Sequence, residues 1–308
     1  MGIYTGRQTA AYCAAFALLG ALATAASMTV AFRVEGSEGE TPPAPRDAQQ
    51  VVSLDQFYSH RLPTPLDVAA RDGRAEIRKR YEDVIRRRDA TINPRALHTM
   101  ARWIWNLDLW QNMYWLGIPV MKTPGDMWMM QQVIAEIRPD FIIEAGTWRG
   151  GSALYYAHTL DALELDDARI ITIDVQDLTA EASQFPVWQR RVDFVHGSST
   201  DPAVVSKIAQ RVEGKKVLVV LDSLHTGEHV RKELAAYAPL VSPESYIIVE
   251  DTNLDGVPLL PELRSGPMSA AKSFLASEAG AAFRADTTRE IFLTTFHPAG
   301  WLLKTHGR

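Results

Sequence analysis

The chain has 308 residues, of which 46% are apolar and 22% charged, and its formal net charge is −5. This composition is typical of a globular protein and excludes a largely disordered, collagen-like or polytopic membrane protein. The slight acidic excess favours no nucleic-acid partner. The single cysteine, Cys13, excludes an internal disulfide framework and a multi-cysteine zinc site.

An apolar segment stands near the N-terminus. Ala10–Phe32 has 23 residues without a charge, enough for a helix to cross a bilayer. We expect residues 1–33 to be a single-helix membrane anchor, because the run continues past Ala23-Thr24-Ala25, where a signal peptide could be cleaved. A cleaved signal would make the protein secreted or periplasmic, and a helix buried in a soluble domain is the third interpretation. Arg7 and Arg33 flank the segment evenly, so its orientation stays open.

A spacer and a helical region are predicted to follow. Residues 34–50 are rich in Pro, Gly and acid, which is typical of a disordered linker. Residues 51–130 are expected to form a helical, Trp-rich cap. Within it, Arg71–Asp89 carries eight basic and five acidic residues. This stretch is either a solvated helix with salt bridges or a face near anionic lipid headgroups.

Five of the eight tryptophans lie in Arg102–Met130. Their side chains either pack a helical cap onto the core or form a wall for a ring-shaped substrate. The stretches Gly117–Pro119 and Thr123–Gly125 are predicted to be ordered loop rather than helix interior.

From Pro139 onward, apolar strands alternate with helices. This pattern predicts a parallel sheet covered on both faces, and therefore a doubly wound, Rossmann-like α/β domain over residues 131–308. Such sheets bind ligands beyond the carboxyl ends of their strands. The predicted strands are Asp140–Glu144, Arg169–Val175, Val192–Val195, Lys216–Leu221 and Tyr246–Val249, with Phe283–Ala285 and Ile291–Phe296 closing the sheet. The predicted helices are Ser152–Leu163, Thr226–Ala238 and Ser269–Ala279.

The turn after the first of these strands favours a nucleoside-type cofactor. Glu144 precedes a glycine loop that lacks the spacing typical of dinucleotide sites, and Asp174 ends the next strand, where a carboxylate meets ribose hydroxyls. Together they indicate S-adenosylmethionine (SAM), with Glu144 near its methionine end. Ser198 and Ser199 either flank the adenine or merely cap a helix, with Ser199 or Thr200 as the cap. The predicted cofactor contacts are Glu144, Gly146, Thr147, Gly150, Gly151, Ser152, Asp174, Ser198 and Ser199.

Three carboxylates follow the fourth and fifth strands. Asp222, Glu250 and Asp251 are expected at one rim, where their mutual repulsion favours a hard divalent cation such as Mg²⁺. The alternative is that these acids cap the segments that follow. His225, three residues after Asp222, is the candidate general base, and His229 is the alternative.

Several of these motifs resemble the cephalosporin hydroxylase family, which includes rhamnosyl O-methyltransferases of glycolipids. The similar motifs are Ile143–Thr147 with Gly150–Ser152, Leu221–His225, Val249–Thr252, and the lead-in Trp115–Pro119 with Pro124–Asp126. The resemblance covers roughly residues 54–304. It implies a class I methyltransferase fold, SAM, and a divalent metal held by Asp222, Glu250 and Asp251. In the similar catechol-type enzymes the base is a lysine, whereas this sequence has His225.

The sequence therefore predicts a membrane-tethered, metal-dependent O-methyltransferase. Its acceptor is expected to be a small molecule, a sugar, a glycolipid or another diol-bearing natural product. A second copy of the chain, in a homo-oligomer, is a further candidate partner. The alternatives are a non-catalytic binding protein with the same fold, or an oxygenase component in antibiotic tailoring.

Overall fold

The computed structural model describes residues 66–257, 259–260 and 263–305, and these residues belong to one compact unit. The predicted anchor Ala10–Phe32 and the linker 34–50 lie outside the described residues. None of the described helices has the length and apolar character needed to cross a membrane. The anchor thus stays a prediction.

A seven-stranded, mostly parallel sheet forms the centre of this unit. A hairpin of β1 (Tyr114–Trp115) and β2 (Ile118–Pro119) precedes the sheet, whose strands are β3 (Phe141–Ala145), β4 (Arg169–Asp174), β5 (Val192–His196), β6 (Val217–Leu221), β7 (Tyr246–Val249), β8 (Phe283–Ala285) and β9 (Trp301–Lys304). Within the sheet the strands stand in the order β5-β4-β3-β6-β7-β9-β8, and β9 alone runs opposite to the other six. Together with the flanking helices this is an α/β methyltransferase-like fold, as the sequence predicts.

The strand register explains why the polar residues share one edge. Ala145 of β3 pairs with Leu221 of β6, and Leu221 pairs with Val249 of β7. These three apolar residues are buried, and the chain turns directly after each of them. The acids that follow Leu221 and Val249 therefore emerge side by side at the carboxyl edge of the sheet.

Helices cover both faces of the sheet, and each face has its own buried apolar cluster. Most predicted elements are confirmed with ends shifted by a few residues. The helices are α1 (Arg71–Thr91), α2 (Pro94–Asn106), α3 (Pro124–Ile137), α4 (Gly151–Ala162), α5 (Pro186–Arg191), α6 (Pro202–Arg211), α7 (Gly227–Tyr237), α8 (Asn253–Gly256) and α9 (Pro267–Leu275).

The region before the sheet matches the prediction in part. Helix α1 carries ion pairs within itself, such as Arg80 with Glu76 at 2.9 Å, which favours the salt-bridged interpretation. Thr123–Gly125 is not loop throughout, because Thr123 caps α3 and Pro124 opens it. Helix α3 crosses residue 130, where the predicted cap and core domains meet; that boundary stays a prediction.

The predicted strand Ile291–Phe296 is wrong, because β9 (Trp301–Lys304) pairs with β7 and β8 instead. Side-chain bonds hold the predicted segment in turns. Asp126, in the first turn of α3, accepts hydrogen bonds from Thr295 Oγ1 (2.6 Å) and from Phe296 N–H (2.9 Å). The chain at this point is thereby attached to α3 and not to the sheet.

Candidate active site

A cavity of about 700 Å³ opens at the carboxyl edge of the sheet. This volume is within the range of ligand-binding pockets. Seven of the nine predicted cofactor residues line it, namely Gly146, Thr147, Gly151, Ser152, Asp174, Ser198 and Ser199. Glu144 and Gly150 do not line it, so their predicted cofactor contacts stay predictions.

The glycine loop is shaped by close approach of backbone. Gly146 has φ +95°, and a Cβ there would lie 1.9 Å from the carbonyl oxygen of Asp222. Only glycine lets the end of β3 pass so near the end of β6. The loop after it is tied to β4, since Asp174 Oδ2 accepts the N–H groups of Thr147 (3.0 Å) and Trp148 (2.8 Å).

Asp174 therefore has a structural task besides the predicted contact with ribose. Its Oδ1 accepts only the N–H of Gln176 (3.0 Å) among the described residues, and a carboxylate oxygen can accept a second bond. Asp174 also lines the cavity. Asp174 is therefore placed to accept a hydrogen bond from a sugar hydroxyl through Oδ1, while its Oδ2 holds the neighbouring loop in shape.

Glu144 lies beneath the cavity, fully buried within β3. Burial raises the pKa of its carboxyl to about 7, against the opposing effects of the Lys122 charge and of hydrogen bonds from Ser152 and Thr172. The Thr172 hydroxyl donates to Oε2 at 2.7 Å.

Ser199, in the turn after β5, does not cap the helix that follows. Asp201, and neither Ser199 nor Thr200, caps helix α6 by accepting the N–H of Ala203 (2.8 Å). Ser199 Oγ instead donates to the buried Glu233 at 2.6 Å and lies 3.1 Å from His229 Nε2. The cap assignment is therefore wrong, and Ser199 belongs to a polar network on the cavity wall.

Three ligand-type side chains meet at the rim. Asp222, His225 and Asp251 each offer an atom, and these atoms lie within 4.8 Å of one another. All three side chains line the cavity and stay partly accessible. His225 Nε2 is 3.2 Å from Asp251 Oδ2, and Asp251 itself has left-handed backbone with φ +55°.

The third predicted metal ligand, Glu250, is placed differently. Its side chain is 4% exposed and bonds Lys122 through Oε2. Lys122 Nζ also donates to Asp222 Oδ2 at 2.8 Å. The structure thus joins Asp222 and Asp251 with His225, and Glu250 lies behind them with Lys122. The sequence reasoning missed Lys122, because nothing local to it indicates partners 100 and 128 residues away.

Charge and burial compete at this rim. Burial and the nearby Asp222 charge raise the pKa of Glu250 well above its usual range. Burial also raises the pKa of Asp251 to about 6, against the effect of His225. At Asp222 burial is outweighed by the charges of Lys122 and His225, which lower the pKa. With all three carboxyls ionised and Lys122 protonated, the net charge of this group would be −2, which one divalent cation would neutralise.

An oxygen-rich donor set of this kind fits a hard cation. A further observation agrees: Glu250 Oε1 is buried and has no hydrogen-bond partner within the described part of the chain. The residues present therefore fit the divalent metal that the sequence predicts. Whether Glu250 ligates it directly stays a prediction.

Aromatic side chains form another wall of the cavity. Trp105 of α2 stacks on Trp110 with ring centroids 5.1 Å apart and an interplanar angle of 15°. Both line the cavity, as does Phe296 at 6.4 Å from Trp110. Trp115 instead packs against Tyr155 of the core, at 4.9 Å. Trp115 thus packs onto the core, whereas contact of Trp105 and Trp110 with a ring-shaped substrate stays a prediction.

Comparison with known proteins agrees with this geometry. A family model described as rhamnosyl O-methyltransferase/CmcI matches residues 107–305. Rhamnosyl O-methyltransferases of Mycobacterium tuberculosis (strain ATCC 25618 / H37Rv) and Mycobacterium leprae (strain TN) are 33% and 31% identical over 209 residues, which is 66% of this chain and 82% and 88% of theirs. Solved structures of CmcI, one without ligand and one with Mg and SAM, are both 16% identical and cover 64% of this chain and 78% of theirs, with TM-scores of 0.49 and 0.48.

The fold and the rim of acids define an α/β enzyme of the methyltransferase class. The chain belongs to the rhamnosyl O-methyltransferase/CmcI family. The family expected from the motifs is confirmed, and with it the enzyme class, a SAM-dependent O-methyltransferase.

Proposed function

We propose that this protein transfers a methyl group to a hydroxyl of a sugar, a glycolipid or another diol-bearing acceptor. The reaction depends on a bound divalent cation, for which Mg²⁺ is the first candidate. One observation carries the proposal. The Asp222–His225–Asp251 cluster lies on the wall of the same cavity that the glycine loop and Asp174 line. A cofactor site and a proton-accepting, cation-binding site thus share one space.

Each residue of the cavity has a definite task in this proposal. Thr147 and Trp148, fixed by Asp174, shape the wall against which SAM is held. Asp222 and Asp251, with Glu250 behind them, hold the cation, which when bound lowers the pKa of an acceptor hydroxyl. The relatives are named for a rhamnosyl acceptor, and the stacked Trp105 and Trp110 suit a sugar ring.

His225 is the proposed base. Its Nε2 lies 3.2 Å from Asp251 Oδ2, so an N–H there donates to the carboxylate and Nδ1 is left to accept the proton of the acceptor hydroxyl. Asp251 then stabilises the imidazolium that forms. His229, the alternative base, also lines the cavity, but its Nε2 lies 3.1 Å from Ser199 Oγ and 3.3 Å from Glu233 Oε1, which supports His225 over His229 as the base.

The test is transfer of a radiolabelled methyl group from SAM to octyl α-rhamnoside and to methyl glycosides, with Mg²⁺ present. Asp222→Ala is expected to abolish transfer while the dissociation constant of SAM stays within about threefold, since Asp222 serves the cation. Loss of SAM binding and transfer together would contradict this division of roles.

We also propose that Ala10–Phe32 holds the enzyme at a membrane with its core on the cytosolic side, where SAM is made. A reporter enzyme fused after the C-terminus distinguishes the topologies. Activity of a cytosolic reporter agrees with the proposal. Activity of a reporter that works only after export contradicts it and favours the non-catalytic binding protein.

A further inference from the structure

Helix α2 carries two apolar stripes, and only one of them faces the domain. Leu97, Ala101 and Ile104 are half-buried on the inner side, and no residue of the helix is fully buried. A second stripe points to solvent. Met100, Trp103 and Leu107, at spacings of three and four, are 36%, 61% and 65% exposed. We call these three residues the α2 stripe.

The charges on helix α2 itself have one sign, and the exposed Asp108 follows directly after Leu107 of the stripe. From Ala90 to Leu107 the chain has no acidic residue, and Arg95 and Arg102 are exposed on the helix. An exposed stripe of Trp, Leu and Met with arginines beside it is typical of helices that lie in the interface of an anionic membrane. A second copy docking through the same stripe would bring four arginines together with only the two Asp108 carboxylates, one from each chain, beside them.

The same helix borders the cavity. Trp105 lines the cavity with Trp110, two residues from Trp103 of the stripe. Residues two apart on a helix point about 200° away from each other, so the stripe and the aromatic wall lie on opposite sides of α2. A lipid surface that covers the stripe would therefore hold the helix whose other side forms a wall of the acceptor cavity. The basic helix α1, by contrast, uses several of its arginines in ion pairs with its own acids.

We propose that the α2 stripe docks on an anionic lipid surface, as a membrane contact separate from the predicted anchor. Trp103 and Leu107 enter the boundary between headgroups and acyl chains, and Arg95 and Arg102 contact the headgroups. The purpose of docking rests on the proposed function, namely access of a lipid-borne acceptor, but the contact itself requires neither SAM nor metal.

The experiment uses the full chain with Cys13→Ser, reconstituted in vesicles of phosphatidylcholine and phosphatidylglycerol. An environment-sensitive NBD fluorophore is attached at Leu107→Cys, and at Gln210→Cys on helix α6 as the exposed control. The label at position 107 is expected to shift its emission to the blue and to be quenched by lipids with spin labels in their acyl chains. The label at position 210 is expected to do neither.

The dependence of docking on charge distinguishes contact through the α2 stripe from attachment through the predicted anchor. Arg95→Gln with Arg102→Gln removes two cations, and since each contributes roughly a fivefold factor near an anionic surface, the ratio of docked to undocked protein should fall about 25-fold. Vesicles of phosphatidylcholine alone should give a similar loss. Both changes leave the anchor intact.

Two results would overturn the proposal. A label at position 107 that stays as accessible as the control shows that the stripe remains in water. A label equally shielded without vesicles shows that another part of this chain or a second copy covers the stripe. Because no step requires catalysis, failure here is distinguishable from failure of the proposed methyl transfer.

Discussion

The substitution Glu144→Gln tests how burial controls ionisation beneath the cavity. Glu144 is fully buried, and its pKa is raised from 4.5 to about 7 by burial. Between those two pH values the folded protein holds a proton that the unfolded chain has lost. The carboxyl therefore contributes stability that is fully present below about pH 4.5 and is lost as pH rises through about 7.

At 1.36 kcal/mol per pKa unit, this change amounts to about 3 kcal/mol in the free energy of unfolding. Glutamine stays neutral at every pH, and its carbonyl oxygen can still accept the hydrogen bond from Thr172. The variant is therefore expected to exceed the stability of the wild type by less than about 1 kcal/mol near pH 5 and by up to about 3 kcal/mol near pH 8.

Chemical denaturation of both proteins at several pH values between 5 and 8 measures the difference. Glu213→Gln changes an exposed carboxyl and serves as the control. If the free energies of unfolding of Glu144→Gln and wild type differ by the same amount at every pH, the reasoning is refuted. Glu144 would then have the same pKa in the folded and the unfolded chain.

Three further predictions concern Gly146 of the glycine loop, the ammonium group of Lys122 and Trp110 of the aromatic wall. Gly146→Ala should lower the free energy of unfolding by at least about 2 kcal/mol, because its Cβ would lie 1.9 Å from backbone, whereas Gly214→Ala, with φ +69° and open space, should cost only about 1 kcal/mol. Lys122→Met should lower the melting temperature in EDTA and regain part of it with Mg²⁺, which replaces the lost ammonium; no effect of Mg²⁺ would contradict the cation site. Trp110→Ala should raise the KM for octyl α-rhamnoside about tenfold, and an unchanged KM would remove Trp110 from the acceptor wall.

The rim of acids is the part of the site that sequence predicts best. Asp222 and Asp251 follow apolar strands, and parallel neighbours end at one edge, so their meeting follows from the strand pattern. The place of His225 at the rim can be predicted because it lies three residues after Asp222 in the chain. The place of Lys122 cannot, because its two partners are far away in sequence and any surface lysine has the same local pattern.

Burial is harder to predict than position along a strand. Glu144 has the position of a cofactor contact, but its side chain lies among buried residues beneath the loop. A buried ion pair of Arg289 with Glu136 at 2.7 Å spans 153 residues and fixes α3 to the sheet region. Ile291–Phe296 has the composition of a strand, yet Asp126 holds its end in turns. Each of these depends on long-range polar bonds that periodicity does not show.

The central claim is that the cavity at the carboxyl edge holds SAM beside a cation site. Calorimetric titration of SAM into the purified full-length protein, once with Mg²⁺ and once with EDTA, tests it most directly. The account predicts saturable binding of one SAM per chain with a micromolar dissociation constant, competed by S-adenosylhomocysteine and retained in Asp222→Ala. Absence of binding in both buffers would contradict it.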